Sequence, residues 1–283
     1  MSGDLTYVYC LVRAARRPSL GDVPAGMPDS RDLRVLDCAD RLWAVVTTVP
    51  GGDYGEAALA RGLQDLEWVG RRAMAHESVV EHFLGAAAVL PMQLFTLFTS
   101  DARALEHVSR DRRRIDRILA RIERHLEWGL RLSLEADAPA AAARPARAAR
   151  LPDSGADYLS RKRDLLGASR ARLASARADA DRLFRTMARE AGAARRRTET
   201  EQAVPGSRVL LDAAFLVPAR RTGAFRAALR RAARTLSGSG VVVSLTGPWP
   251  PYNFIDPAAP RRTGARRSAA ATPARTRRPR GAM

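Results

Sequence analysis

Histidine and glutamate placed together on one helix are the residues of this chain with the most capacity for chemistry. His76-Glu77-Ser78-Val79-Val80-Glu81-His82 lies in a stretch of helical periodicity. A zinc-hydrolase helix needs its second histidine four residues after the first, so that both imidazoles share a face. Val80 stands there, and His82 has no histidine four residues before it. Two imidazoles six residues apart point in different directions, and no third ligand is evident. No metal site, cofactor site or catalytic constellation is therefore assigned. Ser244 and Thr246 are strand residues with no recognisable base, and no glycine loop is built to cradle a phosphate. Cys10 and Cys38 each stand alone in apolar, strand-like contexts, which reads as two buried thiols rather than a disulfide.

Charge is the other pattern with functional content. The 283 residues carry a net charge of +18, almost all of it arginine, since Lys162 is the one lysine. Eight of those arginines fall after Asp256, with no acid beside them. A basic tail can hold nucleic acid without specificity, and a nucleic-acid-binding protein is the alternative reading. The helix with Arg110, Arg113, Arg114, Arg117 and Arg121 lacks interleaved aromatics or a reading motif, so it reads as a solvated face. No apolar run approaches the length needed to cross a bilayer, and Met1 to Val12 lacks the features of a signal peptide. The expected location is the cytoplasm.

The elements that would position these residues form an α+β layout. Thr6 to Val12 reads as a strand, then Leu33–Cys38 and Leu42–Val49 as a hairpin about Ala39-Asp40. Asp53 is a candidate helix cap. Helical spacing runs from Glu56 to about Ala88 through Leu59, Leu63, Leu66, Val69 and Ala73. A strand follows at Met92–Phe98, then an apolar helical stripe from Leu105 to Leu126 and a half-buried strand at Trp128–Leu134. Residues 138–150 read as a linker. A long helix should run from Asp157 to about Thr200, with Leu159, Leu166, Leu173, Ala180, Met187 and Ala194 in a heptad row. A strand at Val209–Val217 and a helix burying Phe225, Ala228, Leu229, Ala232 and Leu236 complete the approach to the C-terminal corner.

That corner is Val241-Val242-Val243-Ser244-Leu245-Thr246, a buried-strand pattern, followed by Gly247-Pro248-Trp249-Pro250-Pro251-Tyr252-Asn253-Phe254. Prolines withhold backbone donors and restrict the preceding residues, so the second half should be a stiff turn rather than more strand. Its rings could form a peptide-binding platform or a plug. The plug, with Trp249 in a core, is the expectation.

The corner resembles the C-terminal signature of the gas vesicle protein L/F (GvpL/GvpF) family. Two upstream segments resemble the family as well. One is Trp68, His76-Glu77 and Leu90-Pro91 with the strand after them; the other is the helix start at Tyr158. Phe95 stands where the family pattern leads one to expect glycine. The signature positions are thus Trp68, His76, Glu77, Leu90, Pro91, Tyr158, Gly247, Pro248, Trp249, Pro250, Pro251, Tyr252 and Phe254. The resemblance implies a ferredoxin-like N-terminal domain (1–122) and an α+β C-terminal domain (123–256) with a coiled-coil-like arm at about 153–200. An Arg/Ala/Pro-rich tail (257–283), expected to be disordered, would follow. It also implies a non-enzymatic accessory or minor structural protein of gas vesicle assembly, whose partners are the hydrophobic shell protein and other accessory proteins.

Overall fold

The computed structural model describes residues 3–135, 155–197, 207–236 and 240–255. The expected linker at 138–150 and the tail at 257–283 lie outside the described residues. In chain order the elements are β1 (Leu5–Arg13), β2 (Arg34–Asp37), β3 (Leu42–Val49), α1 (Gly51–Tyr54), α2 (Glu56–Gly62) and α3 (Leu66–His82). Next come β4 (Ala88–Pro91), β5 (Leu97–Phe98), α4 (Asp101–Arg110), α5 (Arg112–Ile122) and β6 (His125–Glu135). The remainder is α6 (Gly155–Glu190), β7 (Ala193–Arg196), β8 (Ser207–Pro218), α7 (Thr222–Arg234) and β9 (Val241–Trp249). The class is α+β.

Two antiparallel sheets result. The first has the order β2-β3-β1-β4, with β5 also on β1; the second has the order β7-β8-β6-β9. Each places its first strand beside its third and fourth. The second sheet has the full β-α-β-β-α-β element order of a split βαβ motif. In the first, the crossover from β1 to β2 is a loop where a ferredoxin-like unit would carry a helix.

β1 is buried along its whole middle because both faces of its sheet are covered. A register shift between Val8 and Cys10 changes which residues face which way. Tyr7, Tyr9, Cys10 and Val12 pack with Val79 and Val80 of α3. Val8 and Leu11 face α4, α5 and the second sheet's Ala214 and Leu216. The other face of the second sheet packs Trp128, Leu130, Leu132 and Phe215 on α6 and α7.

Several expectations are corrected by this packing. The helix from Glu56 breaks into α2 and α3, and its cap is Asp65, whose side chain accepts from the Glu67 and Trp68 amides. Asp53 lies inside α1 and caps nothing. Leu63 and Leu66, read as core, are 53% and 88% exposed. The inward stripe of α3 is Arg72, His76, Val79 and Val80 instead. Of the strand read at Met92–Phe98 only Leu97–Phe98 is strand (β5); residues 92–96 form a turn that follows β4. The long helix ends at Glu190; Ala194 belongs to β7, a strand that its alanines and arginines had hidden inside a helical pattern. Among the described residues of α6 the buried ones are Ala176, Ala180, Leu183 and Met187. Cys38 is only half-buried, while Cys10 is fully buried, and both are free thiols.

β9 also departs from the reading. It is an edge strand with alternating exposure, and it continues through Pro248 to Trp249. A register shift opposite Trp128 takes up Gly247 and Pro248. Gly247 has φ +117, and a Cβ there would stand 2.8 Å from the Glu127 carbonyl oxygen. Only glycine fits that position without strain.

Candidate functional site

Glu77, Tyr252 and Phe254 of the signature meet where the two sheets join, and α3 supplies His76 and Glu77 on adjacent positions. His76 faces the first sheet. Its Nδ1 lies 2.7 Å from the Tyr7 hydroxyl, and the Tyr9 ring stacks on it at 5.7 Å. Burial pushes the imidazole pKa down to about 4, so the ring is neutral at pH 7. The Tyr7 oxygen in turn accepts from the Phe95 amide at 3.4 Å. His82 is exposed and set against Phe83.

Glu77 faces the opposite way, toward the C-terminal corner, and accepts a 2.5 Å hydrogen bond from the Tyr252 hydroxyl. Burial raises its pKa above the ordinary carboxylate value, and the Tyr252 bond works against that. Burial likewise raises Tyr252, with Glu77 adding to the shift. The next residue, Asn253, is held from β6: the buried Glu127 carboxylate accepts from the Asn253 amide at 2.8 Å and from its side-chain nitrogen. Burial pushes Glu127 upward too, against the Asn253 bonds and the charges of Arg197 and Arg195. Arg195 of β7 donates to the Asn253 carbonyl at 2.8 Å and lies over the Phe254 ring at 5.6 Å. Phe254 itself is 1% exposed, in the core that holds Leu90, Leu216 and Val8.

The plug reading therefore holds for Pro250, Pro251 and Phe254, all buried, but not for Trp249. Trp249 is 37% exposed at the end of β9, and the expectation of a core tryptophan is corrected. Gly247 and the exposed Pro248, just before Trp249, are joined by a cis peptide bond.

Trp68 sits apart from this joint. Its ring covers the Arg72 guanidinium at 3.8 Å and stacks on Phe95 at 5.4 Å. A Cβ on Gly62 would come within 2.7 Å of the indole, so the glycine leaves it room. Phe95 has φ +65, the left-handed conformation for which glycine is the usual residue. Its ring contact with Trp68 gives a phenylalanine there something in return. Leu90 and Pro91 are buried in β4 and, with Tyr252, line a groove of about 870 Å³. A second cleft of about 660 Å³ lies between Leu84–Val89, the start of β6 and Pro251. Tyr158 is in α6, with its side chain outside the described residues.

Glu127, Asn253, Arg195 and Tyr7 were missed as partners. A faint signal existed for the polar face of the second sheet. Glu127, Gly129 and Arg131 alternate on β6, and Asp212 interrupts an otherwise apolar strand. That aspartate is buried between Arg131 at 2.9 Å and Arg197 at 2.5 Å. A Cβ on Gly129 would meet the Thr246 hydroxyl at 2.6 Å. Chemically the site is a clamp: Glu77 and Glu127 are both spent on holding the corner at Tyr252 and Asn253.

Comparison with known proteins bears on what the clamp serves. The family model described as "Gas vesicle synthesis protein GvpL/GvpF" matches residues 5–256. "Gas vesicle protein L" of Streptomyces sp. (strain CB03234) is 37% identical over 270 residues, covering 90% of this chain and 94% of the relative. The crystal structure of gas vesicle protein GvpF from Anabaena sp. PCC7120 superposes with a TM-score of 0.60 at 13% identity, covering 90% of this chain and 98% of that one. GvpF from Microcystis aeruginosa gives 0.59 at 14% identity, covering 89% and 99%. At such identities these two structures show a shared fold.

Proposed function

The chain belongs to the gas vesicle GvpL/GvpF family, and from that premise we propose that it is a non-enzymatic accessory or minor structural protein of gas vesicle assembly. In this reading it binds the hydrophobic shell subunit and other accessory proteins in the cytoplasm, and holds the shell subunit in an assembly-competent state. The observation that carries the reading is the family match over residues 5–256, which spans both sheets and the joint. The geometry supports it. Glu77 of α3 accepts from Tyr252 and Glu127 of β6 accepts from Asn253, so the corner is held from both halves. A subunit that polymerises through apolar faces needs a partner that covers them before assembly. We further propose that residues 1–122 and 123–256 act as two units of one rigid body, with the tail at 257–283 dispensable for folding.

Co-expression with the shell subunit of the same organism tests this. The expected result is a subunit that co-purifies and gains solubility, with vesicle formation lost on deletion of the gene. A subunit that neither co-purifies nor gains solubility, in cells whose vesicles form without the gene, would overturn it.

A further inference from the structure

Among the described residues the two sheets have four edges, one of them shared by β4 and the two-residue β5, and three of the four are guarded. β2 has four residues, beginning in Arg34 and ending in Asp37; β7 has four, including Arg195 and Arg196; β4 is buried, has four residues and ends in Pro91. Short length, charge and proline are the usual means by which proteins keep strand edges from pairing with other chains. β9 uses none of them along its first seven residues. It runs for nine residues, and Val241-Val242-Val243-Ser244-Leu245-Thr246-Gly247 carries no charge, in a chain where 28% of residues are charged.

The direction of its backbone groups can be worked out. The Glu135 amide donates to the Gly240 carbonyl at 3.1 Å, and the ladder then pairs Ser133 with Val242 and Arg131 with Ser244. The even-numbered residues thus bond to β6, and Val241, Val243 and Leu245 turn their amides and carbonyls outward. Their side chains lie over the α6–α7 core but are only half-buried, since no strand among the described residues covers their open flank. On the other face Val242 is 43% exposed, and at the strand's end Trp249 stands out into solvent.

We propose that the outer edge of β9 docks an extended, uncharged segment of the gas vesicle shell subunit by strand addition, with Trp249 as the anchor at one end. This deepens, and rests on, the function proposed above. In strand addition the main chain supplies affinity, and alternate side chains supply specificity. Apolar residues of the added strand would close over Val241, Val243 and Leu245 and extend the core. A partly exposed tryptophan at the end of an open strand edge is the type of residue that dominates binding energy. Charge selects the partner: edge pairing of two copies would bring together two chains of net charge +18, whereas a neutral apolar strand meets no such repulsion.

The test co-expresses the tagged full chain with the shell subunit, as wild type, Val243→Pro and Val242→Lys. Val243→Pro removes an outward amide that β6 does not use. Val242→Lys adds a charge at an exposed position and leaves the ladder to β6 intact, so it decides the matter if the proline variant folds poorly. The expected result is loss of the co-purifying subunit to background in both variants, with the melting temperature of Val242→Lys at the wild-type value. Wild-type capture by both variants would overturn the edge assignment while leaving the proposed function standing. A wild type that is dimeric by light scattering, made monomeric by Val243→Pro, with capture unchanged, would assign the edge to a second copy and overturn it as well. Failure of the wild type to capture the subunit would instead strike at the proposed function itself.

Discussion

The two sheets share one strand order and are covered in opposite ways. The first has α3 on one face and α4, α5 and the second sheet on the other, so β1 is buried from Thr6 to Val12. The second has α6 and α7 on one face only. Its other face is divided between the first sheet, the Glu127–Asn253 clamp and solvent. A sheet covered twice is written in continuous apolar residues, and one covered once alternates and admits charges. The same topology thus yields a closed half and a half with an open edge.

The corner at the end of β9 belongs to both halves, and its Trp249 and Phe254 rings divide accordingly. Phe254→Ala should have the largest effect, because it empties a fully buried aromatic site between the sheets. The expected loss is about 3–5 kcal/mol in urea unfolding, with both sheets lost together. Separate transitions for the two sheets would show that the joint does not couple them.

Acid should act next, and on the closed half. The His76 pKa is lowered from 6.5 to about 4 in the folded state, so its contribution to stability is fully present above pH 6.5 and is lost as pH falls toward 4. A shift of that size corresponds to a loss on the order of 3 kcal/mol. The melting temperature of the wild type should fall through this window, and His76→Gln should flatten that fall. An identical pH profile for the two proteins would contradict a buried neutral imidazole.

On the open half, Asp212→Asn leaves Arg131 and Arg197 without their shared carboxylate. Breaking a buried ion pair costs about 3–5 kcal/mol. Both arginines are about a third exposed, which reduces the expected loss to about 2–3 kcal/mol. Chemical denaturation at low and high salt measures it; a loss under about 0.5 kcal/mol would show that the triad contributes little.

The closed half was the more legible in the sequence. β1 and β3 stand within a residue of where their apolar runs placed them, because burial on both faces leaves a strong pattern. The α2–α3 break was hidden because Leu63 and Leu66 keep the helical spacing of a core stripe while facing solvent. Meanwhile the charged Arg72 goes inside between Tyr54 and Trp68. β7 was illegible because two alanines and two arginines have no strand preference, and the pairing with β8 decides their conformation. In the clamp, His76, Glu77, Tyr252 and Phe254 could be singled out as a family pattern. Their convergence could not, since Glu77 and Tyr252 lie 175 residues apart and meet only through the sheet order.

The proposed division of labour at the corner has Phe254 lock the joint and Trp249 recognise the shell subunit. Trp249→Ala tests it most directly, with thermal unfolding and shell-subunit co-purification measured on the same preparation. The result expected is a melting temperature close to wild type together with a clear loss of bound subunit. A melting temperature lowered as far as that of Phe254→Ala, with the subunit still bound at the wild-type level, would contradict it.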